Sequence, residues 1–355
     1  MVHLRIVVPT DTAGAALELL RGSDSVVNVI HLPGVASKPD GDVVFCDVAR
    51  EDASVVIDDL RELEIPRRGS IALENVEAEI SDAADRAEEA ARGLASDAVV
   101  WEDVEARTSE HTELSFSYVA FMVLAMLIAA VGIMLDQPIL IVGAMVVGPE
   151  FGPLAAVSVA IVELRGALAK RSLVALGIGF PAGIVATLLV TLALRETGLA
   201  PEGFSTDDHP LTEFVSNPDF FSFFVAYVAG TAGILSLTSA KSGALIGVLI
   251  SVTTIPAAAN IGVAAAYGDW SQCGGAAGQL GINLVTIVAA GVATLYLQRR
   301  YYLRRRVKHL SDLARTDAGL PLGHSRRAGS ATFEAPEMTG RPGRPKQGSD
   351  RPGRS

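Results

Sequence analysis

The sequence predicts an α-helical multi-pass membrane bundle of six transmembrane helices, arranged as a 3+3 inverted repeat, behind an N-terminal α+β ferredoxin-like domain. Three observations carry this reading. Of the 355 residues 50% are hydrophobic and only 19% charged, too apolar for a soluble protein of this length. Charge is segregated: Met1 to Ser117 holds 10 Lys and Arg against 25 Asp and Glu, Tyr118 to Gln298 holds 5 against 10, and Arg299 to Ser355 holds 14 against 5. The apolar residues of the middle segment fall into six windows, while those of the N-terminus alternate with a period of two.

The head comes first, at residues 1–80. VHLRIVV alternates as a strand, and Pro9, Thr10 and Asp11 open a helix that runs to Leu20 and closes at Gly22. VVNVIHL and DVVFCDV are two further strands, ASVVIDDLREL a second helix and SIALENVEAEI a fourth strand. The order βαββαβ is that of the ferredoxin-like fold, which serves many regulatory ligand-binding domains as well as packing modules. A small-molecule ligand of this head is therefore one expected partner. Residues 81–117 form an acidic, helix-prone linker, expected to carry the head away from the membrane.

A helix needs about 20 apolar residues to cross the hydrocarbon core. The six windows are Tyr118 to Leu135, Ile139 to Val162, Leu173 to Leu194, Phe220 to Leu237, Gly243 to Tyr267 and Gly275 to Leu297. Arg165, Lys170, Arg171, Lys241 and the run Arg299 to Lys308 lie on one side and the acidic loop from Arg195 to Asp219 on the other, so both termini are expected in the cytoplasm. No basic and apolar cleavable leader opens the chain, so export of the head is not expected. Shifting the chain by 103 positions superposes Phe121 on Phe224, Ala129 on Ala232 and Pro153 on Pro256, and a shift of 104 lays LGIG at Leu176 over LGIN at Leu280. Two units of three spans related in this way insert with opposite topology, as in many secondary transporters.

The candidate site lies in the second and fifth windows. GAMVVGPEFGPLAAV places Glu150 between Gly148–Pro149 and Gly152–Pro153, and the repeat mate SVTTIPAAANIG holds Thr253, Thr254, Pro256 and Asn260. Prolines remove backbone donors, and broken helices at membrane depth are tolerated only where the freed groups face protein or a water-filled cavity. Glu150 is the one charged residue deep inside a window, and no Lys or Arg lies at matching depth. Such a carboxylate costs roughly 2 to 4 kcal/mol on insertion scales and marks a functional site by default. It reads as a proton or cation site lined also by Thr253, Thr254, Asn260 and Asn283, with the half-helix starting at Pro153 aiming its positive end at the gap. A neutral carboxylic acid bonded across the helix interface is the competing reading. Gly243 with Gly247, and Gly274 with Gly278, read as close helix packing and also suit a homo-oligomer.

AMVVGPEFGP, IGVLISVTTIPAAANIGVA and INLVTIVAAG, together with the cytosolic head, resemble the bacterial and archaeal membrane proteins of the domain of unknown function 389 family. The resemblance covers about Tyr118 to Tyr296. It implies the hydrophobic architecture and no activity, and the chain departs from the family pattern at Glu150 and at its single Pro256.

Function then divides between a transporter or channel for a small solute or ion, and a non-transporting sensor or scaffold whose head binds a ligand or partner. Enzymatic activity is not expected: HExxH, GxSxG, paired intramembrane aspartates and a P-loop are missing from the sequence. No cofactor and no metal site is expected, since Cys46, Cys273 and the six histidines show no ligand spacing. Expected partners are the lipid bilayer and further copies of the chain. Nucleic acid is not expected, because the head is acidic and the Gly-, Pro- and Arg-rich tail, read as disordered after about Thr316, has no aromatic interleaving.

Overall fold

The computed structural model describes residues 1–76, 79–91, 98–110, 112–201, 220–239, 246–310 and 314–322; the side chains of Glu110, residues 246–253, Lys308 and Ala314 stand outside this set. The head is built from β1 (Val2–Val8), α1 (Ala13–Gly22), β2 (Val26–Ser37), β3 (Asp40–Val48), α2 (Ala53–Glu62), α3 (Ile65–Arg68) and β4 (Ser70–Asn75). Alternation decides β1: Val2, Leu4, Ile6 and Val8 are buried while the residues between them point away. The strands lie in the order β2-β3-β1-β4, and every neighbouring pair is antiparallel. Each helical connection thus joins two strands separated by a third, so the two crossovers interleave.

After α4 (Asp82–Ala91) and α5 (Trp101–Glu110), the chain enters α6 (Phe116–Met134), α7 (Pro138–Val147), α8 (Phe151–Val162), α9 (Gly166–Glu196), α10 (Phe220–Thr238), α11 (Ile246–Tyr267) and α12 (Trp270–His309), and ends its described part with α13 (Ala314–Asp317). Ser115 caps α6 by accepting the Tyr118 amide. Among the described residues, α6, α9, α10 and α12 are long and apolar enough to cross a bilayer, and α7 with α8 add a fifth span if that bent pair counts as one. These helices make the chain a membrane protein, and their outward faces agree, with Ile139, Phe220 and Val285 each at least 70% exposed. The expected window Gly243 to Tyr267 falls partly outside the described residues; α11 covers the rest. It runs through the middle of the bundle and packs on α6, α7, α9, α10 and α12. Its approach to α9 depends on Gly262, where a Cβ would stand 2.8 Å from the Ile184 carbonyl.

Three expectations need correction. Among the described residues Gly274 and Gly278 make no close helix contact, since a Cβ at either meets nothing within 4 Å; Gly243 and the surroundings of Gly247 lie outside the described residues. The linker does not hold the head away from the bundle. Trp101 and Val104 of α5 are buried in one cluster with Ala155, Ala156 and Val159 of α8. Nor does the last helix end with its apolar window at Leu297, before the basic run Arg299 to Lys308. At 1.5 Å per residue the 40 residues of α12 span about 60 Å, twice the hydrocarbon thickness, so the helix continues into the head.

There Arg306 donates to Asp59 at 2.7 Å and to Glu62 at 2.8 Å, and Tyr302 donates to Asp58 at 2.5 Å. Arg315, which follows, is fully buried between Asp59 and Glu62, and Ala318 and Leu320 join the core of the head. Of the tail expected to be disordered after about Thr316, residues 317–322 are instead ordered against the head, while residues 323–355, like most of the acidic loop, lie outside the described residues.

Candidate functional site

Glu150 stands at a true break. α7 ends at Val147, Gly148 turns extended at φ −66° and ψ 125°, and α8 begins at Phe151 with its axis bent 56° from α7. The new helix starts two residues before the expected Pro153, because proline in a first turn gives up only an amide that has no partner there. Pro149 lies within the break and is half-buried, as are Gly148 and Gly152. Glu150 is the N-cap residue of α8, so its carboxylate sits at the positive end of that half-helix. It is fully buried.

The facing helix meets it directly. Thr254 of α11, also fully buried, donates its hydroxyl to Glu150 Oε1 at 2.8 Å. Thr254 and Asn283 lie equally far in sequence from the turn at Gly268 and Asp269 that joins α11 to α12, so antiparallel packing sets both at one depth. Asn283 is fully buried and Asn260, nearer the turn, is 2% exposed. Tyr118 of α6 lies close enough to Glu150 for its hydroxyl to feel the carboxylate charge. The structure thus brings Glu150 against Thr254 and Gly148 against the neighbouring Ile255, with Pro149, Gly152 and Pro153 beside them along the α7–α8 segment, and places Asn283 at the level of Thr254 and Asn260 beyond it. The side chain of Thr253 lies outside the described residues.

The reading of the fifth window as a second unwound break is not met. Pro256 is buried within α11, which stays helical from Ile246 to Tyr267. A lone proline removes one hydrogen bond and can be absorbed as a kink, whereas two Gly–Pro pairs around an acidic residue cannot. Besides the expected Asn260, further polar groups in the bundle, Thr187, Thr191 and Gln279, escaped the sequence reading. Among the described residues the hydroxyls of Thr187 and Thr191, Asn260 Oδ1 and Gln279 Oε1 are buried without a protein hydrogen-bond partner. Their signal was present as i, i+4 pairs, Thr187 with Thr191 and Gln279 with Asn283, on otherwise apolar helices. No cluster of three or more metal-ligating side chains occurs among the described residues.

Gly148 is a sensitive point of this geometry. A Cβ there would lie 2.5 Å from Glu150 Oε2 and 2.9 Å from Ile255 Cγ1. Gly148→Ala is expected to displace the carboxylate and lower stability by about 1 to 3 kcal/mol, the usual cost of overpacking. Gly143→Ala, with open space around its Cβ, serves as the neutral control. Equal melting midpoints for the two variants in detergent would show that α7 and α11 are not in close contact here.

The sequence profile of the domain of unknown function 389 matches residues 145–289, from α7 through α12. This segment of the chain is similar to that family. An uncharacterised protein of Methanocaldococcus jannaschii is 27% identical over 179 residues, 50% of this chain and 53% of that protein. The chain thus spans about half the length of this curated relative. No solved structure matches the chain. The matched segment contains the break and every candidate site residue, so the domain 389 segment and the site coincide.

Proposed function

We propose that the domain 389 bundle is a transporter or channel for a small solute or ion, with its site where Glu150 meets Thr254. One observation carries this reading: a fully buried carboxylate sits at the broken, positive helix end between α7 and α8 and is met by a hydroxyl from the central helix. The buried oxygens of Thr187, Asn260 and Gln279 support it, as groups that a polar solute or its water would satisfy. In this reading Glu150 is the proton or cation site, α11 is the fifth of six spans, and the two halves are inverted repeats. The head is a ferredoxin-like module, which its β2-β3-β1-β4 order supports. Both termini lie in the cytoplasm of a prokaryote, as the basic residues on the head side of the membrane suggest.

A second reading has its own support. The continuous α11 and the direct Thr254 bond are what a rigid anchor would show, with the head as the working part. Proton flux into liposomes under an imposed pH gradient, with a panel of ions, separates the two. Glu150→Gln is expected to abolish a flux that the wild type supports while leaving the fold intact. Equal flux in the two proteins would remove Glu150 from the mechanism. A variant that fails to fold would favour the anchor.

A further inference from the structure

Buried hydroxyl groups in the bundle behave in two ways. Ser158 of α8, Thr238 of α10 and Thr294 of α12 each donate to the carbonyl four residues back, at 2.8 to 3.2 Å. A helix ordinarily satisfies a hydroxyl away from water in this way. Thr187 and Thr191 of α9 are 0% and 1% exposed, yet neither hydroxyl has a protein hydrogen-bond partner.

The two kinds lie on opposite sides of Glu150. Gln298 donates to Thr238, and Arg299 donates to the Val162 carbonyl at the end of α8, so Ser158, Thr238 and Thr294 lie toward the head. Thr187 and Thr191 lie toward the other end. A Cβ on Gly262 of α11 would stand 2.9 Å from Thr187 Cβ. Farther along α9, Arg195 donates to the Ala266 carbonyl of α11 and lies 4.5 Å from the centre of the Tyr267 ring. The two helices therefore run parallel, and Thr187, Thr191 and Arg195, spaced four residues apart, share the face of α9 that is turned to α11.

This register sets the unpartnered groups in a series of depths. Gln279 Oε1 and Asn260 Oδ1 are likewise buried without a protein partner. With Thr254 beside Glu150 as origin, Gln279 stands about 6 Å nearer the surface remote from the head, Asn260 about 9 Å, Thr187 about 12 Å and Thr191 about 18 Å. A water with hydrogen bonds of about 2.8 Å on either side bridges groups about 5.6 Å apart, so each step in depth is about one water or less. Such groups are what ordered water satisfies inside a protein.

We infer that Gln279, Asn260, Thr187 and Thr191 line a narrow water pathway that reaches Glu150 from the surface remote from the head. The inference deepens the transport reading and rests on it for its purpose. The four side chains carry no charge to compensate a metal cation, whereas a proton travels on water alone, so the pathway makes the proton the ion that Glu150 exchanges with that side.

The test is alkylation by iodoacetamide, which is small and uncharged and reacts only with a thiolate, a species that forms where water reaches. Single cysteines at positions 187, 191, 158 and 238 are compared in the full chain in liposomes, on a Cys273→Ser background, with the label located by peptide mass. The four wild-type residues are all at most 1% exposed, so surface exposure alone predicts equal rates. Thr187→Cys and Thr191→Cys are expected to react at least tenfold faster than Ser158→Cys and Thr238→Cys at unchanged melting midpoints, and Thr191→Cys carries the test should Thr187→Cys misfold. Rates that are equal on the two sides, whether fast or slow, overturn the pathway. Slow alkylation beside a proton flux that Glu150→Gln abolishes would sink the pathway and leave the transport reading standing. Fast alkylation of the remote pair without any flux would do the reverse.

Discussion

Asp59→Ala is expected to lower stability by about 3 to 5 kcal/mol and to uncouple the head from the last helix. Asp59 is fully buried and meets three basic side chains: Arg306 at 2.7 Å, His309 at 2.8 Å and the fully buried Arg315. Removing it leaves two guanidinium groups in a desolvated site with Glu62 as their main counter-charge, and the cost comes from those stranded cations more than from the lost attraction. Desolvation opposes ionisation of Asp59, but the His309 hydrogen bond and the charges of Arg306, His309 and Arg315 outweigh it and hold its carboxyl below 3.8. The stabilisation it brings is therefore present above the ordinary carboxylate range and is lost as pH falls through the lowered value. Calorimetric melting in detergent checks the prediction. The variant should show a separate, earlier transition for the head, whereas Asp47→Ala, at a partly exposed strand position, should not. A midpoint within a degree of the wild type would show that the cluster does not bind the head to α12.

How far the sequence disclosed this molecule depends on the range of the signal. The β1 bounds follow from alternation alone, and the break at Gly148 to Glu150 follows from Gly–Pro chemistry within a few residues. Both are local. The clamp between head and last helix joins Asp59 and Glu62 to residues more than 240 positions away, and no periodicity marks such a pairing. Arg305 and Arg306 were legible only as part of a basic run beside a membrane, which explains them without any partner. The same limit applies to Pro256: its consequence for α11 depends on the helices packed around it, not on the residue itself. At the site, Glu150 and Thr254 were each visible as anomalies in apolar windows, while the roles of Tyr118 and Gly148 against them required the packing of α6, α7 and α11.

Glu163 supplies a pH dependence of the opposite sign to that of Asp59. It lies in the turn after α8, beyond the apolar run, with its side chain 4% exposed and 3.3 Å from Arg165. Burial is the largest influence and pushes its carboxyl up to about 7; Arg165 and Arg299 pull it down, and Glu105 and Glu102 push it further up. Arg165 is shared with Glu105 of α5, so the balance is struck where the linker meets the bundle. A raised carboxyl binds its proton more tightly in the folded protein than in the unfolded chain, so between 4.5 and about 7 the folded state carries more protons and stability falls as pH rises. Across that whole interval the loss amounts to at most about 3 kcal/mol. Melting midpoints at intervals across this range should decline for the wild type and level off above neutrality. Glu163→Gln, neutral at every pH, should remove much of that decline and melt higher than the wild type on the alkaline side. Parallel profiles for the two proteins would mean that Glu163 keeps its charge in the fold, and that Arg165 outweighs burial at the junction.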